Sequence, residues 1–197
     1  MNWYHRALVI LAFGILASVQ SWATDIPLPN DSIYQLEIPL TNQDGKPTTL
    51  IEHRGQPLLI SMFYTGCQFV CPRIIDALKK TEASLTPAER KNTKVLMLTF
   101  DPEHDDVAAL KTVATERGLP SPQWTLARTD DRHVRKLAAA LGVQYRELPN
   151  GDFNHSSVLI LLDAEGHIVA KTSTIGEADT EFVNQVKKVA KQRMPAK

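Results

Sequence analysis

The chain has 197 residues, 43% of them hydrophobic and 22% charged, and its 22 Lys and Arg balance 22 Asp and Glu at a formal net charge of +0. That length suits one globular domain with a sizeable core and is short for two. The apolar share excludes a disordered chain, and the charge balance excludes a polybasic nucleic-acid binder. Two cysteines cannot make a disulfide-dense scaffold, so each needs its own account.

Residues 1–23 read as an export signal. Arg6 supplies a basic start with no acid, an apolar run extends from Ala7 to Val19, and small residues stand at Ser21 and Ala23, placing cleavage before Thr24. The run is short of the roughly 20 apolar residues that span a bilayer, and the alternative is an uncleaved N-terminal anchor. Either reading puts the domain outside the cytoplasm, in an oxidising compartment such as the periplasm. Residues 24–32, polar with two prolines, form a flexible leader, and the domain is expected over 33–192.

A strand is expected from Ile33 to Leu40, a turn at Asp44-Gly45, and a second strand from Thr48 to Ile51. Pro57 to Phe63 is almost wholly apolar, the pattern of a strand covered on both faces. Ile74, Ile75 and Leu78 then give the stripe of a helix with one buried side. Lys94 to Phe100 is another buried strand. Asp105 and Asp106 open a helix that ends near Gly118. A short strand from Trp124 to Ala127 precedes a helix capped by Asp130 or Asp131, with Val134, Leu137, Ala138 and Leu141 inside. Ser157 to Leu162 is a third buried strand, turned by Asp163-Ala-Glu-Gly166 into a partner at His167 to Lys171, and a last helix runs from Glu177 to about Gln192. Alternating strands and helices imply an α/β sandwich, thioredoxin-like, with a central mostly parallel sheet, helices on both faces and a C-terminal antiparallel hairpin.

Cys67 and Cys71 lie between a buried strand and a helix start, in Tyr64-Thr-Gly-Cys-Gln-Phe-Val-Cys-Pro72. On one helical turn their Cβ atoms would stand about 5–6 Å apart, near enough for a slightly distorted disulfide or for two sulfurs to share one metal. Pro72 suits the first turn, where its missing N–H removes nothing needed. The helix start favours a thiolate, which is both the nucleophile of disulfide exchange and a soft ligand for Cu(I). An inert staple is the plainer reading, but closing so short a loop gains little.

Of the histidines after the signal, His53, His104, His133 and His167 sit in polar turns or beside helix starts and read as solvated. His155 differs, because it lies in the loop Asn150 to Ser156 that leads into a buried strand. Functional groups gather where loops meet the ends of parallel strands. A Cys2His set with an open position suits copper, whereas structural zinc takes four ligands. On spacing alone, His155 is either that third ligand or an ordinary loop residue.

Taken together, Thr65-Gly-Cys67-Gln-Phe-Val-Cys71-Pro72, Asp101-Pro-Glu-His-Asp105 and His155-Ser156 before Ser157-Val-Leu-Ile-Leu-Leu-Asp163 resemble the SCO/SenC family, exported thioredoxin-fold proteins of cytochrome c oxidase copper-centre assembly. The resemblance spans about Ile33 to Lys188. It implies that Cys67 and Cys71 bind copper and can cycle through a disulfide, and that His155 is the third ligand. Asp101 falls on an aspartate position close to the site, as a supporting group outside the ligand set. Gln68 stands where many members have proline, and Asn154 where many have aspartate.

What the resemblance implies is a metallochaperone that carries one copper ion, Cu(I) or Cu(II), to the binuclear copper site of an oxidase subunit. Another copper chaperone or a thiol reductase would be a further partner, with no nucleic acid, and contact with the membrane surface only through the partner or an uncleaved anchor. The alternative is a thiol–disulfide oxidoreductase, Cys67 attacking and Cys71 resolving, that reduces the acceptor's cysteines before metal insertion. A peroxidase variant is a lesser alternative.

Overall fold

The computed structural model describes residues 27–192, so the expected signal over 1–23 and the first part of the leader lie outside the described residues. Among the described residues, no helix is long and apolar enough to cross a membrane.

Strands β1 (Pro39–Asn42), β2 (Pro47–Thr49), β3 (Leu58–Phe63), β4 (Lys94–Thr99) and β5 (Trp124–Arg128) precede a short pair, β6 (Tyr145–Glu147) and β7 (Phe153–His155), and then β8 (Leu159–Leu162) and β9 (Ile168–Thr172). Helices α1 (Val70–Ala83), α2 (Pro87–Asn92), α3 (Val107–Glu116), α4 (Asp131–Leu141) and α5 (Thr180–Lys191) alternate with them. The main sheet runs β2-β1-β5-β4-β3-β8-β9, and β6 and β7 form a separate ribbon. The central strands β3, β4 and β5 are parallel. The hairpins β1–β2 and β8–β9 flank them antiparallel.

The apolar runs explain this order. All six residues of β3 and all four of β8 are buried, as expected of strands covered on both faces. Ile74, Ile75 and Leu78 of α1 pack into the same core, and so do Val134, Leu137, Ala138 and Leu141 of α4. In α4 the Asp130 carboxylate caps the start, and Gly142, at φ 69°, takes the left-handed turn that stops it.

The N-terminal strands differ from expectation. Ile33–Gln35 is a 3-10 turn capped by the Ser32 hydroxyl, and pairing begins only at Pro39. The second strand stops at Thr49, where Leu50–His53 makes another such turn that buries Leu50. The helix expected from Asp105 begins at Val107, because Asp106 is its cap and Asp105 turns inward. Two features went unforeseen: α2, closed by a reciprocal capping box between Thr86 and Glu89, and the β6–β7 ribbon, which replaces the loop expected at Asn150 to Ser156.

Candidate metal centre

Three elements converge beyond the ends of β3 and β4. The chain leaves β3 at Phe63, passes Tyr64, Thr65 and Gly66 to Cys67, and enters α1 at Val70. Cys67 therefore precedes the helix and Cys71 occupies its first turn, rather than both lying on one helical turn as the spacing alone suggested. The cap residue of α1, Phe69, offers no side-chain acceptor to the free N–H groups of that turn. Cys67 takes this role: its Sγ accepts the Cys71 N–H at 3.2 Å, while Pro72 has no N–H to satisfy.

This capping separates the two thiols electrically. The Cys71 thiol, donating to the Cys67 sulfur, is the main cause that lowers the Cys67 pKa to about 4, and the backbone N–H groups of Cys71, Phe69 and Val70 add to it against the cost of burial. Cys71 is driven the opposite way, because it gives its proton to that hydrogen bond and is buried. The sequence led us to expect a lowered pKa at this helix start. It is found at Cys67 only. Both cysteines are free thiols, Cys67 half-buried and Cys71 buried.

His155 closes the group. It ends β7, paired with Tyr145 across the ribbon. Its Nδ1 lies 3.2 Å from the Ser156 carbonyl, which can only accept, so Nδ1 carries the proton and the Nε2 lone pair is left available. The two sulfurs and a ring nitrogen of His155 all lie within 4.8 Å of one another. Residues more than eighty positions apart in sequence thus meet at a separation one metal ion could bridge. Beside the thiols, a cavity of about 150 Å³ is lined by Tyr64, Thr65, Gln68 and Arg117 among others.

The group bracing the cysteine loop is Asp105. Its carboxylate accepts the Thr65 N–H at 3.0 Å and the hydroxyls of Thr65 and Thr99. Burial raises its pKa, against the pull of those donors. Asp101, expected near the site as a supporting group, holds the ring of His104 at 2.9 Å, and its N–H donates to the Thr99 hydroxyl at 2.9 Å. Asp105 was legible only as an acid in the Asp-Pro-x-x-Asp stretch, where it looked like a helix opener. Tyr64 carries no comparable sequence signal. Its hydroxyl donates to Asp152 Oδ1 at 3.3 Å, tying the end of β3 to the turn of the ribbon.

The remaining histidines divide. His104 is exposed and ion-paired to Asp101. His53 is only partly exposed, and burial lowers its pKa. The side chain of His133 is mostly covered and bonded to Asp130 at 2.7 Å. His167 lies between Asp163, at 2.8 Å from Nδ1, and Asp31, at 3.2 Å from Nε2, and these carboxylates keep it protonated above its ordinary range. The ligand atoms of Asp163, Glu165 and His167 also lie within 4.8 Å of one another, but both nitrogens of that ring are already engaged by carboxylates.

A thioredoxin-like domain carrying two thiols and an imidazole at the ends of its central strands is the class that fold and site define. The SCO1/SenC family profile matches residues 30–191, and the chain belongs to that family. It is 26% identical over 141 residues to the SCO1 protein homolog of Bacillus subtilis, covering 69% of this chain and 72% of that one. Solved structures share the fold. ScoI of Bradyrhizobium japonicum, solved with copper bound, matches at TM-score 0.65 and 23% identity, over 77% of this chain and 96% of that one. BsSco, described with a disulfide switch and as a member of the Sco family of cytochrome c oxidase assembly proteins, matches at TM-score 0.67 and 21% identity, over 80% and 94%.

Proposed function

We propose that this protein is a copper metallochaperone in which Cys67, Cys71 and His155 hold one copper ion and pass it to the binuclear copper centre of a respiratory oxidase subunit. The observation that carries the reading is the approach of the three ligand atoms to within 4.8 Å. The donor chemistry fits: a thiolate at Cys67, a second sulfur beside it, and an imidazole with a free lone pair suit copper in either oxidation state. Export through residues 1–23, into the periplasm, would put the domain on the side of the membrane where its copper-site partner is assembled, and a copper-bound relative supports the choice of metal.

Transfer proceeds by ligand exchange. Cys67 is the more accessible sulfur and Cys71 the buried one, so an incoming thiolate of the acceptor reaches the ion from the Cys67 side. Displacement of Cys67 and His155 leaves the ion on Cys71 and the acceptor until the last sulfur is released. The metal-bound Cys71 sulfur leaves as a thiolate and regains a proton from solvent.

The test is anaerobic copper titration of the reduced chain beside Cys67→Ser and His155→Ala. One ion per chain is expected, with a weakened site in each variant. Unchanged stoichiometry and affinity in His155→Ala would refute the ligand set. A second reading, thiol–disulfide reduction of the acceptor's cysteines, is favoured by the asymmetry of the thiols: an accessible low-pKa sulfur is built to attack and a buried thiol to resolve. In that case Cys71→Ser accumulates a mixed disulfide with its target, and activity survives His155→Ala.

A further inference from the structure

The β6–β7 ribbon that carries His155 shares no backbone ladder with the main sheet. A knot of rings holds it over the thiols instead. Phe100, just past the end of β4 and 2% exposed, has its ring centroid 4.8 Å from that of His155, 5.0 Å from Phe153 and 5.5 Å from Tyr145. It therefore touches both strands of the ribbon and the imidazole itself. Its own position is fixed, because its N–H donates to the Phe63 carbonyl at 2.9 Å. Tyr64 packs beside it, its ring centroid 5.3 Å from that of Phe100, 5.2 Å from Phe153 and edge-on to His155 at 6.3 Å, and its hydroxyl reaches Asp152 at the ribbon turn.

We propose that Phe100, assisted by Tyr64, is the positioning residue that holds the His155 imidazole over the two sulfurs and thereby sets how well the site retains oxidised relative to reduced copper. The proposal rests on the copper reading above and deepens it. Cu(I) is soft and is held well by two thiolates, whereas Cu(II) depends more on the imidazole. An imidazole on an unladdered ribbon would have to be ordered each time an ion bound. A clamp that orders it beforehand removes that cost, and removes it for the ion that needs the ring. Phe100 acts on metal only through His155 and has no polar atom to offer one.

The experiment uses the full reduced chain, with Phe100→Leu and Tyr64→Phe as test variants and His155→Ala as reference. Cu(I) affinity is read by competition with a chromophoric chelator, and Cu(II) affinity from thiolate-to-copper charge-transfer absorption. Leucine keeps an aliphatic side chain in the core but loses the flat ring against the imidazole. Phenylalanine at 64 keeps the ring and loses the hydroxyl, which meets Asp152, the Phe153 backbone and the Cys67 sulfur. Phe100→Leu is expected to weaken Cu(II) binding by about 10–100-fold while Cu(I) binding stays within about threefold of wild type, the range typical of groups that orient a ligand. Tyr64→Phe shifts Cu(II) in the same direction by less. Unchanged Cu(II) affinity in Phe100→Leu overturns the clamp, and so does a parallel fall for both ions, which marks a merely structural role. If Phe100→Leu is silent while His155→Ala loses Cu(II), the clamp alone fails. If His155→Ala is silent too, the ligand set fails with it.

Discussion

Removing the Asp105 carboxylate should destabilise the domain through the cysteine loop. Asp105 is 1% exposed and accepts the Thr65 N–H at 3.0 Å together with two threonine hydroxyls. In Asp105→Ala the Thr65 N–H loses its partner. An orphaned buried donor costs about 1–3 kcal/mol, and each displaced hydroxyl bond about 0.5–1.5 kcal/mol. The wild-type carboxylate is itself desolvated, which offsets part of that loss, so the net effect is a destabilisation of about 2–4 kcal/mol. Asp105→Asn keeps an acceptor for the N–H and should lose no more than about 1 kcal/mol.

The pH dependence adds an independent check. Burial raises the folded-state pKa of Asp105, so between the unfolded value of about 3.9 and that raised value the native state binds more protons than the unfolded one. The contribution of this group is therefore greatest below about pH 4 and declines as pH rises through the window. Urea unfolding followed by far-UV circular dichroism should show the stability advantage of wild type over Asp105→Asn shrinking as pH increases across that window, then levelling. Equal stabilities for the Ala and Asn variants, or an advantage that grows with pH, would refute the reasoning.

Alkylation of Cys67 by iodoacetamide should already run near its plateau rate by pH 6, because its pKa lies at about 4, and Cys71→Ala should move the profile upward by removing the donor that contributes most. Phe69 is 83% exposed between the two cysteines and buries almost nothing, so Phe69→Ser should leave unfolding stability within about 0.5 kcal/mol of wild type in the same urea assay.

The buried strands were legible because their composition leaves no alternative: Leu58–Phe63 and Lys94–Thr99 are apolar runs too short for helices and flanked by breakers. The parallel centre followed from the helices between them. The two short strands of the ribbon were not legible, since three residues cannot display a period of two, and Phe153-Asn-His155 looks like any polar turn. The thiols could be named from residue type and place, whereas those grounds left His155 open and only the family resemblance singled it out. Asp105 and Phe100 could not, because a buried acid facing a threonine and an aromatic ring facing an imidazole depend on which loops become neighbours. The capping box of α2 does have a local signature, a threonine three residues before a glutamate in Thr86-Pro-Ala-Glu89.

The division of labour between sheet and ribbon has a consequence for how such a domain can diversify. Both sulfurs issue from a strand and helix locked in the core, whereas the imidazole of His155 rides on an appendage whose ladder is its own. Insertions or altered residues at the tip, between Leu148 and Asp152, would re-aim that ring and leave the packed interior intact. The imidazole can thus be repositioned against the thiols by editing a peripheral segment.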